Sequence, residues 1–203
     1  MMRVKRTAVH VALTALLLSA CGDQTGTPQP LPIPSPREMR LGGAPTDVEM
    51  DVEIVGLPGA VAGAGQVVIV NNGVSTEAQS TAAGSFFASI RAHGDDELEI
   101  RYENSDAAIV TVPVKGIMYP GIPFPIEGVP PLTPQGDGQV LVRGELPSAG
   151  VALVVNVSNG AVVLGAADAL QQFSLEIQAA SGDALRVYQE MTPLGPFWEL
   201  TVP

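Results

Sequence analysis

Cys21 is the single cysteine of the chain and the residue whose chemistry the sequence defines best. It follows an apolar run from Thr7 to Leu18, and that run follows the basic residues Arg3, Lys5 and Arg6. A basic start, a short apolar stretch and small residues before a cut are the marks of an export signal. The run is too short to cross about 30 Å of hydrocarbon as a helix. The sequence therefore predicts a signal peptide over residues 1–20.

The tetrapeptide Leu18-Ser19-Ala20-Cys21 resembles the lipobox of bacterial lipoproteins. The resemblance implies cleavage between Ala20 and Cys21, transfer of a diacylglyceryl group to the Cys21 thiol, and acylation of the new amine. Two or three chains hold a protein firmly on a membrane, because each buried methylene contributes about 0.8 kcal/mol. The alternatives are an ordinary signal peptide and an uncleaved anchor. The lone cysteine argues against an ordinary signal, because exported domains that keep cysteines usually pair them.

The residue after the cysteine is Gly22, and Asp23 follows it. In the lipoprotein family an Asp directly after the cysteine retains the protein in the inner membrane. Here the Asp stands one place later, so the resemblance implies a lipid-anchored envelope protein in the outer membrane. The predicted partners are the membrane, through the lipid anchor, and an envelope or surface protein.

A row of acidic residues, Asp47, Glu49, Asp51 and Glu53, is the best candidate for a cation site. Calcium takes six to eight oxygen ligands at about 2.4 Å. Side chains on one face of a strand repeat every 6.5–7 Å or so, so neighbours in this row share an ion only with help from another loop. A solvated strand face that discourages edge-to-edge pairing is the simpler interpretation. The acidic turn 95–97 has the same two interpretations.

The sequence has too few of the residues that zinc sites, cysteine nucleophiles and aromatic sugar platforms need. His10 leaves with the signal, so His93 stands alone, and one histidine without a free thiol excludes zinc sites and Cys–His nucleophiles within one chain. Trp198 is predicted to lie in the core of the last strand rather than on a sugar-binding platform. We therefore assign no catalytic residue and no cofactor. A carbohydrate- or peptide-processing enzyme would need paired carboxylates in a cleft.

The net charge of the chain restricts the classes of molecule that it can bind. Removing residues 1–20 takes away three of the ten basic residues and none of the 21 acidic ones, which leaves a formal charge of −14. A chain this acidic repels nucleic acid, so a nucleic-acid partner is excluded.

Proline divides the rest of the chain. Six of the 18 prolines fall in residues 22–46 and six in residues 115–135. Alternate prolines favour extended polyproline II, so residues 21–46 are predicted to be a semi-rigid tether. Residues 115–135 are predicted to be a linker between two domains, 47–114 and 136–203.

The two domains repeat one another. Residues 67–73, 86–92 and 94–100 match residues 154–160, 173–179 and 181–187 at a constant offset of 87 positions. A small gap then brings residues 110–113 onto residues 200–203. A constant offset over this length indicates a duplicated module of roughly 65 residues.

Each module reads as a set of short strands. From Thr46 to Ile54 polar and apolar residues alternate, with Val48 and Met50 on the same face as Val52 and Ile54, which is typical of a half-buried strand. Asn72-Gly73 and Asn159-Gly160 each predict a hairpin. A second hairpin is expected at the Gly-Asp turn of each module. The pattern predicts an all-β chain with two tandem antiparallel β-sandwiches.

The motif Gly-Ser-Phe, an alternating strand and Gly-Asp-x-Leu-x-Ile resembles bacterial Ig-like and carboxypeptidase-regulatory-like modules. Its residues are Gly84, Phe86, Ile90, Gly94, Asp95, Leu98 and Ile100 in the first copy, and Phe173, Ile177, Gly182, Asp183, Leu185 and Val187 in the second. The resemblance implies spacer, stalk or adhesion roles. We expect a non-catalytic structural or protein-contact function, with an adhesin-like binder of an external protein or glycan as the rival and an enzyme as the remote alternative.

Overall fold

The computed structural model describes residues 34–43, 48–102, 109–114, 132–191, 194–195 and 197–203. The signal peptide, Ala20 and Cys21, most of the predicted tether, Asp47 and linker residues 115–131 lie outside the described residues. Among the described helices none is long and apolar enough to cross a membrane.

The first sandwich follows a short 3-10 turn at Pro36–Glu38 and has two antiparallel sheets, with strand orders β1-β2-β5 and β4-β3-β6-β7. Its strands are β1 Met39–Gly42, β2 Met50–Gly56, β3 Gly65–Asn71, β4 Val74–Ser80, β5 Phe86–Ala92, β6 Glu97–Tyr102 and β7 Ile109–Pro113.

The second sandwich repeats this arrangement, with strand orders β8-β9-β12 and β11-β10-β13-β14, again antiparallel. Its strands are β8 Thr133–Pro134, β9 Gln139–Glu145, β10 Val151–Asn156, β11 Val162–Ala166, β12 Gln172–Gln178, β13 Ala184–Gln189 and β14 Phe197–Thr201. The predicted fold class, antiparallel Ig-like β-sandwiches, is confirmed.

Two strands lie inside ranges that the proline content assigned to connecting segments. Strand β1 falls within residues 21–46, pairs with β2, and buries Met39 in the first core. Strand β8 falls within residues 115–135 and pairs with β9. Both are edge strands, where a proline is tolerated because the unpaired side of the strand needs no N–H donor. Proline enrichment therefore extends into the first strand of the second sandwich.

Strand β2 follows the predicted alternation only in its second half. Val52 and Ile54 are fully buried in the first core, whereas Val48 is 63 % and Met50 43 % exposed. The strand begins at Met50, so Val48 precedes it and Met50 lies at its exposed first position. The expectation that all four share a buried face is wrong for Val48 and Met50.

The strand registers correct the alignment of the two copies. Ile69 pairs with Ile100 in the first sandwich, and Val154 pairs with Val187 in the second. These residues make β3 equivalent to β10 at an offset of 85, not 87, because the β10–β11 connection, residues 157–161, is longer than the β3–β4 turn, residues 72–73. The last strands correspond at an offset of 88, since the N–H of Val114 and that of Val202 make the same backbone bond to Asp96 and Asp183.

The Gly-Asp turns are not hairpins, contrary to the sequence expectation. Strands β5 and β6 belong to different sheets, and so do β12 and β13. Each turn carries the chain across the sandwich instead of pairing the strands that flank it. Alternating patterns on both sides of a turn define two strands but not the sheet to which each belongs.

Both sandwiches use a glycine opposite a phenylalanine on the strand next to it. Gly56 pairs with Phe86, and Gly144 pairs with Phe173. A Cβ on either glycine would overlap the partner's ring. The phenylalanine ring can therefore lie over the glycine backbone and enter the core of its own sandwich. Both copies share this glycine–phenylalanine packing.

Candidate functional site

The acidic row does not form a cation site among the residues that the structure describes. Glu49 is exposed and pairs with Arg91 at 3.2 Å, and Asp51 is exposed directly opposite Arg91 in the β2–β5 register. Glu53 points to the other sandwich. No group of three His, Cys, Asp or Glu side chains that could hold a metal occurs in the described ranges. Glu49 and Glu53 are engaged in ion pairs with arginines.

Glu53 is the centre of a contact between the two sandwiches. Its carboxylate accepts hydrogen bonds from Arg186 Nη1 at 2.5 Å and from the Tyr188 hydroxyl at 2.8 Å. Its side chain is only 15 % exposed, so the interpretation of the whole row as a solvated face is wrong for Glu53. The cause is alternation: Val52 and Ile54 face the first core, and Glu53 therefore faces outward onto the second sandwich.

Arg186 is held on several sides. Its Nε donates to Glu199 at 2.9 Å, and its guanidinium carbon lies 4.2 Å from the ring centre of Phe197 and 5.4 Å from that of Phe87. Burial acts to lower the pKa of Arg186, but the carboxylates of Glu199 and Glu53 outweigh it and raise that pKa. Burial and the charge of Glu53 raise the pKa of Tyr188, which keeps its hydroxyl a donor. The arrangement is a fixed clamp of charge-assisted bonds.

An apolar cluster surrounds this clamp, and we call the two together the inter-sandwich contact. The cluster contains buried residues from both sandwiches and two half-buried phenylalanines: Val55, Leu57, Leu153, Val155, Val162, Tyr188, Leu194, Phe87 and Phe197. It is distinct from the cores inside the two sandwiches.

Backbone and polar bonds extend the contact at its rim. Leu194 N–H donates to Leu41 O at 2.9 Å, which joins the second sandwich to the edge of β1. Arg40 pairs with Glu190 at 2.7 Å, and Ser85 Oγ donates to Gly160 O at 3.0 Å. Together the described residues of both sandwiches belong to one structural unit.

Each sandwich also carries an Asn–Asp pair that the sequence did not single out. Asn71 Nδ2 donates to Asp96 Oδ2 at 2.8 Å and Asn156 Nδ2 donates to Asp183 Oδ2 at 2.8 Å. In the first copy the turn carboxylate that matters is Asp96, which also accepts from His93 N–H, and not the motif residue Asp95. The acidic turn 95–97 is thus partly a hydrogen-bond anchor. A backbone N–H and the Asn amide lower the pKa of each aspartate.

The two Asn–Asp pairs differ in the hydrogen bonding of the asparagine Oδ1 atom. Asn156 Oδ1 accepts from Ser158 N–H at 2.9 Å, whereas Asn71 Oδ1 is buried without a hydrogen-bond partner among the described residues. The amide of Asn71 cannot be turned over, because its Nδ2 contacts two acceptors, Arg91 O and Asp96. The shorter β3–β4 turn supplies no N–H in the place of Ser158.

Asn71 lines a shallow depression of about 560 Å³ on the first sandwich, with both polar and apolar lining residues. Its walls come from the ends of β2, β3, β4 and β5 and include Glu49, Asp51, Ser75 and Thr76. Trp198 lies elsewhere, buried in the second core against Phe173, as the sequence predicted. The depression carries hydrogen-bonding groups without an aromatic platform.

Comparison with known proteins gives no family. No protein-family model and no curated protein matches the chain. Among solved structures the chain is similar to a biofilm-associated protein, BSP domain, at 18 % identity and a TM-score of 0.26, over 81 % of this chain. It spans 29 % of that chain. It is also similar to a DUF3823 family protein from Bacteroides ovatus, at 16 % identity and a TM-score of 0.24, over 81 % of this chain and 98 % of that one.

Proposed function

We propose that the chain is a lipid-anchored, non-catalytic protein of the cell envelope that presents its two sandwiches as one block. The observation that supports the block is the inter-sandwich contact, in which an apolar cluster and the Glu53–Arg186 pair join the modules. Two modules joined by a bare linker bend freely, whereas modules that share buried side chains keep a fixed relative orientation. A fixed block suits a spacer or a scaffold that contacts another protein.

The anchor rests on the sequence. Cys21 follows the lipobox residues Leu18 to Ala20, and acylation there would fix the block to a membrane. The absence of Asp directly after Cys21 favours the outer membrane as its location.

Replacement of the acylated residue tests the anchor. Cys21→Ala should release the protein from the membrane fraction and abolish fatty-acid labelling, because no other thiol exists in the chain. Asp23→Asn is the matched control, since it changes a neighbouring residue and leaves the thiol in place. Unchanged labelling of Cys21→Ala would refute the lipoprotein assignment.

A second candidate function, binding of an external protein or glycan, draws support from the depression on the first sandwich. The equivalents of Ser75 and Thr76 in the second sandwich are Val162 and Val163, so these two hydroxyl groups are particular to the first copy. Ser75→Val with Thr76→Val gives the first sandwich the residues of the second. If the depression binds a ligand, this variant should lose the retention that the wild-type chain shows on immobilised glycans or envelope proteins. Equal retention of both would reject the depression as the binding surface.

A further inference from the structure

The two Asn-Gly turns have the same labile dipeptide but different surroundings. In an Asn-Gly sequence the glycine nitrogen, after losing its proton to a base, attacks the asparagine Cγ. A new N–C bond forms, the Cγ–Nδ2 bond breaks, and ammonia leaves a succinimide that water opens to aspartate or isoaspartate. Glycine favours this attack because no Cβ shields its nitrogen.

The first turn is open. Asn72 and Gly73 are exposed at the tip of the β3–β4 hairpin, with φ values of 49° and 84°. These positive values fit the type I′ hairpin predicted for Asn-Gly. Within the described ranges the Gly73 N–H makes no hydrogen bond. The Asn72 side chain is held by one exposed bond, from Nδ2 to Asp96 Oδ1 at 3.0 Å.

The second turn is closed. Gly160 is buried, and its N–H donates to Asn156 O at 2.8 Å. Both ends of the Asn159 amide are occupied: Nδ2 donates to Gln178 O at 3.2 Å, and Oδ1 accepts from Ala161 N–H at 2.9 Å. The turn is also pressed against the first sandwich, where a Cβ on Gly160 would lie 2.9 Å from Gln79 O.

We propose that Asn72 is a site of spontaneous deamidation in the folded protein and that the fold protects Asn159. Reaction at Asn72 requires the loss of one exposed hydrogen bond. Reaction at Asn159 requires that the Gly160 N–H and both polar atoms of the Asn159 amide lose their hydrogen bonds, and that the turn moves away from the first sandwich.

The reaction would change the depression on the first sandwich. The new carboxylate at position 72 would lie beside Asp96 in place of a donor, and Asn72 lines the same depression as Glu49 and Asp51. An isoaspartate also lengthens the backbone of a two-residue turn by one methylene. The modified protein would therefore have a more negative depression and a weaker hairpin.

The two sites serve as controls for each other in the unmodified full-length protein. The chain is incubated at neutral and mildly alkaline pH, digested, and the peptides carrying residues 72 and 159 are followed by the mass change from amide to acid. We expect Asn72 to react about tenfold faster than Asn159 or more, since two additional hydrogen bonds must open at Asn159. In denaturant the two rates should become similar.

Each outcome decides the proposal. Equal rates in the folded protein, or a faster reaction at Asn159, would overturn it. A difference in denaturant as large as that in the folded protein would also overturn it, because local sequence rather than the fold would then set the rates. Asn72→Asp, which has the product charge, should remain unchanged in mass at position 72 and identifies the product peptide.

Discussion

The outer faces of the two four-stranded sheets occupy equivalent places in the repeat, yet the residues that the structure describes cover only one of them. In the second sandwich this face meets the first sandwich, and Leu153 and Val155 on it are fully buried. In the first sandwich the equivalent Val68 and Val70 are half-buried at the surface. Four pairs of equivalent positions carry the difference: Val68 and Leu153, Val70 and Val155, Glu99 and Arg186, and Arg101 and Tyr188.

In the three-stranded sheets the covered outer face belongs to the first sandwich. The covered face of the first sandwich contributes Glu53, Val55 and Phe87 to the inter-sandwich contact. The equivalent positions in the second sandwich are Leu141, Arg143 and Ser174, of which the last two are exposed.

The duplicated module thus keeps complementary faces only where its two copies meet. A contact between two different faces of a repeated unit continues indefinitely unless the outer copies lack one partner face. Terminal repeats of such arrays carry polar outer faces for this reason. Here the outward four-stranded face of the first sandwich carries Glu99 and Arg101, which pair with each other, and the outward three-stranded face of the second carries Arg143 and Ser174.

The largest expected effect is a difference in stability loss between equivalent substitutions on the outer faces of the two four-stranded sheets. Leu153→Ala should lower the free energy of unfolding by about 3 kcal/mol, because it leaves a cavity at a fully buried position of the inter-sandwich contact. Val68→Ala, at the equivalent half-buried position, should cost less than about 1 kcal/mol. Denaturant unfolding followed by circular dichroism measures both variants, and Trp198 fluorescence adds a reporter of the second sandwich, where the only tryptophan of the chain lies. Equal losses would show that the contact does not persist in solution.

The next effect concerns the charges in the contact. Arg186→Met should cost about 2 kcal/mol, because it leaves the mostly buried Glu53 carboxylate without its cation. Adding Glu53→Gln to that variant should recover part of the loss, with a coupling energy of about 1–2 kcal/mol. Glu99→Gln, at the position equivalent to Arg186, should change stability by less than about 0.5 kcal/mol, since its pair with Arg101 is exposed. If the stability losses of the Glu53 and Arg186 variants were strictly additive, the two side chains would not be coupled, which would contradict the ion pair between them.

Sequence patterns could predict the strands and the core, because period-two alternation reports which face each residue takes. They could not reveal the two-residue error in aligning β3 with β10, since a shift of two keeps every side chain on its face. The partner of Glu53 lies 133 positions away, beyond any local pattern. The apolar run Val151–Val155 is typical of a strand buried on both faces. The run Val67–Val70 of β3 has the same character although Val68 and Val70 are only half-buried, so apolarity alone does not tell the two strands apart.

The smallest expected effect concerns a feature that the two sandwiches share. The pKa of Asp96 is lowered chiefly by the His93 N–H and then by Asn71, and that of Asp183 chiefly by the Ala180 N–H and then by Asn156. A folded-state pKa below the ordinary 3.8 means that the unfolded chain binds protons first as the pH falls. The stability that each carboxylate contributes is therefore present above 3.8 and is lost as the pH falls through the lower folded value.

Asp96→Asn and Asp183→Asn should each reduce stability at neutral pH and flatten its decline in acid, measured as denaturant midpoints along a pH series. The Asn side chain cannot ionise, so it removes the proton uptake while keeping an oxygen for the backbone N–H. Asp95→Asn, one residue from Asp96 but exposed, is the control and should leave the decline unchanged. A wild-type decline in both Asp96→Asn and Asp183→Asn would contradict the lowered pKa of the two aspartates, because neither carboxylate would then contribute to the loss of stability in acid.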